Sequence, residues 1–240
     1  MVMNTMTRVA ICYWGLTRST KKIFNSHHTH LFNVLKEHTI DYDVFMHTWR
    51  TENSFIWEEK QDKIDYEEYK LLEPNYYQID SQDDFLASIK FSDYFNAELY
   101  QRYGDSIHEW KPMLIRNHLC ALESQNRVTN MVLENERKYD YVIYIRPDVF
   151  IATTFQVQYL YNTMENQISI PDNEHYSGYN DRFAIVRYEH CFYYGKRITE
   201  IIEFRKTHGR IVSEKYVKYI LDKYFQSIHF IDFKFEIVRP

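Results

Sequence analysis

The stretch Arg8-Val-Ala-Ile-Cys-Tyr-Trp14 decides the fold class. It is a short apolar run bounded by Gly15, which predicts a buried strand. Residues 17–20 supply hydroxyl groups that can cap a helix, and an apolar stripe between positions 23 and 35 predicts that helix through about residue 37. Residues 42–49 predict a second strand. A strand, a helix and a strand at this spacing form a βαβ unit, whose right-handed crossover makes the two strands parallel.

The rest of the chain continues to alternate between the two patterns. We predict further strands at 76–79, 141–145, 167–170, 182–186 and 231–237, and further helices at 83–99, 112–138, 189–208 and 213–225. Residues 50–69 are charged and poorly periodic, which predicts a long loop or an exposed helix. The alternation favours an α/β fold with a Rossmann-like, mostly parallel central sheet flanked by helices. Because the sequence shows no repeat and no linker, we predict one domain over residues 1–240.

Composition narrows the classes of ligand site. The chain has five glycines and five prolines, and it contains neither of the glycine-rich phosphate-loop motifs. Aromatic residues make up 18% of the chain, with 22 tyrosines and 16 phenylalanines. This excess has two interpretations that stay open: the composition of an AT-rich genome, or aromatic side chains that line a sugar or base site.

Charge and cysteine content narrow the classes of partner and compartment. Lys and Arg number 29 against 34 Asp and Glu, a net charge of −5, which argues against nucleic-acid binding. The cysteines Cys12, Cys120 and Cys191 are widely spaced, which favours a reducing compartment over a disulfide framework. No apolar run approaches the roughly 20 residues needed to span a bilayer. We therefore expect a cytoplasmic protein without a transmembrane segment (in the host cytoplasm if the protein is viral).

Polar side chains follow three of the predicted strands. The clusters are Gly15-Leu-Thr-Arg18, His47-Thr48 and Arg146-Pro-Asp148. In open parallel sheets, ligands bind at the carboxyl ends of the strands. Arg18 and Arg146 can bind phosphate oxygens, and Asp148 can hold a divalent cation. These clusters suit a phosphorylated ligand; the alternative is an ordinary β–α turn with a surface arginine and an aspartate that caps the next turn.

A loop at residues 171–183 combines polar and aromatic side chains. Asp181 lies where this loop meets a predicted strand, and a carboxylate in that place can act as a general base or bind hydroxyl groups. Tyr176 and Tyr179 offer surfaces for stacking against a sugar. The alternative interpretation is a loop built from Asx-type turns, which explains its Asn and Asp residues.

Four motifs in order resemble a group of GT-A glycosyltransferase-like proteins found among bacterial surface-polysaccharide enzymes and large DNA viruses. The first is the strand at 8–14 with Gly-Leu-Thr-Arg, followed by Tyr-Asp-Val-Phe-Met-His-Thr-Trp at 42–49. Then come Tyr-Asp-Tyr-Val-Ile-Tyr-Ile-Arg-Pro-Asp at 139–148 and Gly-Tyr-Asn-Asp-Arg-Phe-Ala-Ile at 178–185. Ser213-Glu214 in a late helix completes the series. The resemblance covers nearly the whole chain.

The resemblance implies transfer of a sugar from a nucleotide-sugar, a UDP- or GDP-sugar, to a glycan or other hydroxyl acceptor. Such an acceptor includes lipid-linked and protein-linked glycans. In GT-A enzymes an Asp-x-Asp motif binds the ribose and a Mn²⁺ or Mg²⁺ ion on the diphosphate. Arg146-Pro147-Asp148 occupies that place with Arg in the first position. Asp148 is therefore the expected metal ligand, while Arg146 can neutralise part of the diphosphate charge itself.

The same resemblance implies a role for each further candidate residue. Gly15, Thr17 and Arg18 would lie near the nucleotide and diphosphate, His47 and Thr48 near the base or ribose, and Tyr176, Tyr179 and Asn180 near the acceptor. Asp181 would deprotonate the acceptor hydroxyl in an inverting displacement, with Glu214 as the runner-up. Residues 8–148 would form the nucleotide-binding part and 149–240 the acceptor side. Two alternatives stay open: a non-catalytic nucleotide- or glycan-binding domain, and a metal-dependent phosphoesterase that uses Asp148.

Overall fold

A βαβ unit opens the fold, as the sequence predicts. The computed structural model describes residues 6–52, 64–98 and 112–239. Strand β1 (Arg8–Trp14) pairs in parallel with β2 (Asp41–Arg50), and Arg8 lies opposite Asp41. Between these strands the chain is helical from α1 (Thr20–His27) through a π-helical turn (His28–Phe32) to α2 (Asn33–Glu37).

Seven strands of the described chain form one mixed sheet. Besides β1 and β2, the strands of the described chain, in both sheets, are β3 (Tyr76–Ser81), β4 (Tyr141–Ile145), β5 (Val149–Ile151), β6 (Gln167–Pro171), β7 (Phe183–Arg187), β8 (Ser227–Ile231) and β9 (Phe235–Ile237). The order in the large sheet is β3-β2-β1-β4-β7-β6-β8, while β5 and β9 pair separately. Only β7 runs antiparallel to its neighbours in the large sheet. This confirms the predicted α/β class with a mostly parallel central sheet.

Helices cover both faces of the large sheet. The further helices are α3 (Gln82–Ser88), α4 (Pro112–Glu134), α5 (Gln158–Tyr161), α6 (Cys191–Gly195), α7 (Ile201–His208) and α8 (Ser213–Tyr224). Side chains of a strand alternate between faces, so β1 contributes to two cores. Val9, Ile11 and Tyr13 pack in one core, which also holds residues of α2, and Ala10 and Cys12 pack in the other, with residues of α4. Within the described ranges, no helix combines the length and apolar character that crossing a bilayer requires.

Two of the predicted helices have the wrong extent. The helix predicted at 83–99 ends at Ser88, because the next residue, Ile89, is extended with φ −93° and ψ 144°; residue 99 lies outside the described residues. The helix predicted at 189–208 is interrupted after Gly195. A Cβ at Gly195 would lie 2.0 Å from the Thr129 hydroxyl oxygen of α4, so the chain needs glycine at this close approach.

The last predicted strand is in fact two strands that belong to different sheets. β8 ends at Ile231, and β9 begins at Phe235 and pairs with β5. The alternation of apolar residues over 231–237 continues through the turn, because the side chain of Phe233 is fully buried. The buried side chain in the turn therefore gives the sequence the same alternating pattern as one continuous strand. The short elements β5 and α5 have no counterpart in the prediction. Residues 53–63 of the predicted loop or exposed helix lie outside the described residues.

Candidate functional site

The first and third polar clusters come together at one edge of the sheet. β1 and β4 are parallel neighbours, with Tyr13 opposite Ile145, so the segments that follow them leave the sheet side by side. The guanidinium of Arg18 lies 3.2 Å from a carboxylate oxygen of Asp148. The Thr20 hydroxyl also donates to the Pro147 carbonyl at 3.1 Å.

Asp148 is paired with two arginines. Arg146 donates from Nε to Oδ1 at 2.9 Å and from Nη2 to Oδ2 at 2.5 Å, while Arg18 Nη2 also reaches Oδ2. Burial opposes ionisation of the Asp148 carboxyl, but the charges of Arg146 and Arg18 hold its pKa below the ordinary value. The three side chains therefore carry a net charge of +1, with the carboxylate in the ionised form.

The donor set at Asp148 does not fit a metal site that is already formed. Both carboxylate oxygens accept hydrogen bonds from guanidinium groups. Over residues 6–52, 64–98 and 112–239, no three side chains of His, Cys, Asp or Glu come together as metal ligands would. A Mn²⁺ or Mg²⁺ ion at Asp148 would have to share a carboxylate oxygen with a guanidinium group, in a place where both neighbouring side chains are positively charged.

The turn after β1 depends on glycine for its backbone conformation. Gly15 has φ +100°, a region that side chains other than glycine rarely adopt. Nothing lies within 4 Å of the place where a Cβ would be, so conformation rather than space requires the glycine. Thr17 is buried within this turn, and Arg18 is the predicted ligand-binding residue of the turn that reaches Asp148.

The second polar cluster, His47-Thr48, lies buried beneath this turn, and His47 contacts the turn through Ser124. His47 is fully buried, with Nδ1 2.7 Å from the Ser124 hydroxyl and Nε2 3.0 Å from an Asp80 carboxylate oxygen. Burial lowers the pKa of His47 to about 4, so the ring is neutral near pH 7. Nε2–H then donates to Asp80, and Nδ1 accepts from Ser124, which itself accepts from the Gly15 N–H at 2.8 Å. Thr48 is buried as well.

The loop that ends at β7 contains the buried Asn180, the exposed Tyr176 and the partly exposed Tyr179. Asn180 is fully buried, donates to the Asn173 carbonyl and accepts from the Arg182 N–H, both at 2.9 Å. This is a turn-forming role for its side chain. Tyr176 is 72% exposed with φ +47°, and the Arg182 guanidinium lies 5.7 Å from its ring centre. The ring of Tyr179 lies under the Lys218 ammonium group, 4.7 Å away.

The charge of Asp181 acts on the other candidate base, Glu214. Burial raises the pKa of Glu214, and the negative charge of Asp181 raises it further. Oδ1 of Asp181 is buried and accepts no hydrogen bond from the described residues, although Arg182 Nε is 3.9 Å away. Arg182 also pairs with Glu174 at 2.8 Å.

Asp181 also connects the loop to the arginine pair. Burial lowers the pKa of Arg146, but the Asp148 carboxylate, and beyond it the charge of Asp181, outweigh that effect and raise it. The acidic loop thus lies within electrostatic reach of Arg146, one of the two arginines that pair with Asp148.

Helix α4 supplies polar groups to the site that the sequence pattern does not single out. Ser124 contacts both Gly15 and His47, and His118 is buried close enough to Asp181 for their charges to interact. Burial lowers the pKa of His118 to about 4. His118 recurs with the apolar residues whose spacing predicts this helix, while Ser124 lies in the same helix outside that set. A polar residue within a buried stripe is the one signal that marks His118, and no pattern in the sequence marks Ser124.

Comparisons with known proteins find similarity at the level of structure only. No protein-family model matches the chain. No curated protein matches it either. The structure of galactosyltransferase LgtC in complex with donor and acceptor sugar analogs aligns with 93% of this chain and 73% of its own, at 10% identity and a TM-score of 0.43.

A second solved structure is that of the bifunctional glycosyltransferase WbbM in its apo form. It aligns with 96% of this chain at 11% identity and a TM-score of 0.41, and this chain spans 39% of its length. At these identities and TM-scores, neither alignment assigns a function to a residue of this chain.

Proposed function

We propose that this protein transfers a sugar from a UDP- or GDP-sugar to a hydroxyl group of a glycan, free or linked to a lipid or protein. The observation that carries the proposal is the convergence of Arg18 and Arg146 at the carboxyl edge of β1 and β4, where Asp181 lies within electrostatic reach of Arg146. Sugar transfer needs positive charge where the diphosphate departs and a carboxylate that takes the acceptor proton. Both requirements have a candidate here, and the order of motifs along the chain supports the same reading.

The proposed reaction is a single displacement at the anomeric carbon. The acceptor oxygen forms a bond to that carbon while the bond to the β-phosphate oxygen breaks, and its electron pair leaves with the nucleoside diphosphate. The hydroxyl proton passes to Asp181, or to Glu214 as the runner-up, and the anomeric configuration is inverted. General-base catalysis of this kind contributes on the order of 10²–10⁴-fold in rate.

The remaining candidate residues serve binding in this proposal. The Gly15 turn allows the backbone to approach the nucleotide, while His47 and Thr48 support that turn from the buried side. Tyr176 offers its exposed ring to the acceptor, with Tyr179 nearby, and Asn180 shapes the loop that carries them.

A thermal-shift screen with a matched release assay tests the proposal. The panel is UDP, GDP, CMP and ADP with their common sugar conjugates, and release of the free nucleotide is measured by chromatography. We expect UDP or GDP and one matching sugar conjugate to raise the melting temperature, and that conjugate to release its nucleotide slowly. If no nucleotide or conjugate changes the melting temperature and none is released, the proposal is wrong.

A non-catalytic binding domain is the second candidate, and one observation favours it. Arg182 lies between Glu174 and Asp181, so the proposed base has a positive neighbour that can hold it away from an acceptor. A binding domain would be stabilised by the nucleotide-sugar but would release no nucleotide.

A phosphoesterase would instead release inorganic phosphate from a model phosphate ester, which a transferase does not.

A further inference from the structure

The carboxylate of Asp148 lies beneath the two arginines with which it pairs. Its side chain is 3% exposed, against 19% for Arg18 and 26% for Arg146. An anionic ligand that approaches this edge of the sheet therefore meets guanidinium N–H groups before it can reach the carboxylate. A divalent cation on that ligand would face the same two positive groups.

We propose that Arg18 and Arg146 bind the diphosphate of the nucleotide directly, and that Asp148 positions these two guanidinium groups rather than ligating a metal ion. This inference rests on the proposed function. It assigns the donor site to a class that binds diphosphate without a divalent cation.

The hydrogen-bonding capacity of the pair supports direct binding. Asp148 engages Nε and Nη2 of Arg146 and Nη2 of Arg18, and a guanidinium has more N–H donors than these contacts use. Planar guanidinium groups match phosphate oxygens in pairs, which a point charge does not. Because Asp148 holds the two groups side by side, they are oriented before the ligand arrives.

The charges at this edge support the same assignment. Arg18 is shielded from solvent by burial, which lowers its pKa; the charge of Asp148 raises it, while those of Arg146 and Arg239 lower it again. Arg18 thus feels the repulsion of two other guanidinium groups, and an anion bound beside it would relieve that repulsion. A metal ion bound to Asp148 would instead lie beside two guanidinium groups and add a further positive charge to them.

Nucleotide binding with and without divalent cations tests the inference. UDP and GDP are titrated by calorimetry into the whole protein, once in EDTA and once in millimolar Mn²⁺. We expect the same nucleotide to bind in both, with dissociation constants that differ by less than about threefold. Binding that needs Mn²⁺ overturns the inference and leaves the proposed function intact. If neither nucleotide binds in either buffer, the inference and the proposed function both fail.

A substitution at Arg18 distinguishes direct binding of the diphosphate by the arginines from binding through a metal ion. Arg18→Lys keeps the charge but loses the planar fork, so we expect UDP or GDP binding in EDTA to weaken about tenfold or more. Binding of the matching nucleoside monophosphate should weaken much less. Arg187→Lys is the control, because Arg187 lies opposite Tyr141, the first residue of β4, and thus at the end of that strand away from Arg146. A loss equal to that of the control contradicts the assignment.

Asp148→Asn distinguishes positioning from ligation. The amide retains one acceptor oxygen for the guanidinium groups but is a poor ligand for Mn²⁺. We expect weaker diphosphate binding by the same factor in EDTA and in Mn²⁺, with the unliganded melting temperature recorded as a control for folding. If the variant loses affinity only in Mn²⁺, Asp148 is a metal ligand and the inference is wrong.

Discussion

Gly178 packs directly against the backbone of Glu214. A Cβ at Gly178 would lie 1.9 Å from the Glu214 carbonyl oxygen, and the neighbouring Tyr179 N–H donates to that same oxygen at 3.0 Å. The loop that carries the proposed acceptor residues is thus fastened to the start of α8. Through this contact, the segments that hold the two candidate bases are positioned together.

Gly178→Ala is expected to separate these segments. The added methyl group meets backbone atoms that cannot rotate away, and overpacking of this kind costs about 1–3 kcal/mol. Urea unfolding measures the loss of stability, and the release assay measures the loss of transfer. Ser177→Ala is the control, because Ser177 is an exposed neighbour in the same loop, and it should change stability by less than about 0.5 kcal/mol. Equal stability of the two variants would contradict the packing argument.

Ser124→Ala is expected to loosen the turn after β1. The hydroxyl accepts from the Gly15 N–H and donates to His47, and loss of partners for buried polar groups costs about 1–3 kcal/mol. We also expect nucleotide affinity to fall, because the turn supports Arg18. Ser26→Ala is a matched control, since Ser26 is another buried serine that accepts from a backbone N–H, that of Ile151. The control should lose stability but keep its nucleotide affinity.

The arrangement of strands follows from local patterns in the sequence. The apolar run at 8–14 and the one at 141–145 identify two central strands, and parallel neighbours bring the segments after them to one edge. The proximity of Arg18 to Asp148 could therefore be predicted. That Asp148 would lie beneath both arginines could not, because motif spacing does not give the depth of a side chain. The pairing of β5 with β9 could not be predicted either, since a strand of three residues is identified only by its partner, which is distant in the sequence.

Polar groups of the site that lie on α4 could not be predicted for a different reason. His118 occupies a position that the helical period assigns to the core, Ser124 lies in the same helix, and the structure buries both. Periodicity reports burial and says nothing of what a buried polar atom contacts. The partners of Ser124 come from β2 and from the turn after β1, far away in the sequence. Only the folded chain shows that the buried face of α4 also supports the site.

Acid is expected to destabilise the fold from pH 6.5 downwards. Burial lowers the pKa values of His27, His47 and His118 to about 4, below the ordinary value of 6.5. Between these values the unfolded chain binds protons that the folded chain does not, so stability is greatest above pH 6.5 and falls towards pH 4. Each histidine adds a slope of about 1.4 kcal/mol per pH unit. The raised pKa of Glu214 acts in the opposite direction and offsets part of this loss.

Urea unfolding at several pH values between 7 and 4.5 measures this slope. His27→Gln removes one of the three groups, although it also weakens the contacts of His27 with Tyr13 and the Val149 carbonyl. Its unfolding free energy should therefore be lower at pH 7 but change less with pH than that of the parent protein. A parent protein with no slope above pH 5 would show that these histidines are not held neutral.

Tyr176→Ala is expected to weaken acceptor binding while leaving the chemical step intact. The ring of Tyr176 is largely exposed, and aromatic contacts contribute about 0.5–1.5 kcal/mol beyond area burial. We therefore expect the acceptor KM to rise about two- to tenfold with little change in kcat. Tyr161→Ala is the control, because Tyr161 is also exposed but lies on α5. An equal change in both variants would exclude a specific role for Tyr176.

Asp181→Asn is expected to lower transfer by about 10²–10⁴-fold while sparing nucleotide affinity. The amide fills the same space but cannot take the acceptor proton. Removing the charge of Asp181 also lowers the pKa of Glu214, since that charge contributes to raising it. Glu214→Gln provides the comparison: if Asp181 is the base, this variant keeps most of its transfer rate. If Glu214→Gln is inactive and Asp181→Asn retains near-normal rates, Glu214 is the base and Asp181 tunes its pKa. In that case the pH optimum of Asp181→Asn should shift towards acid, which a pH profile of transfer would reveal.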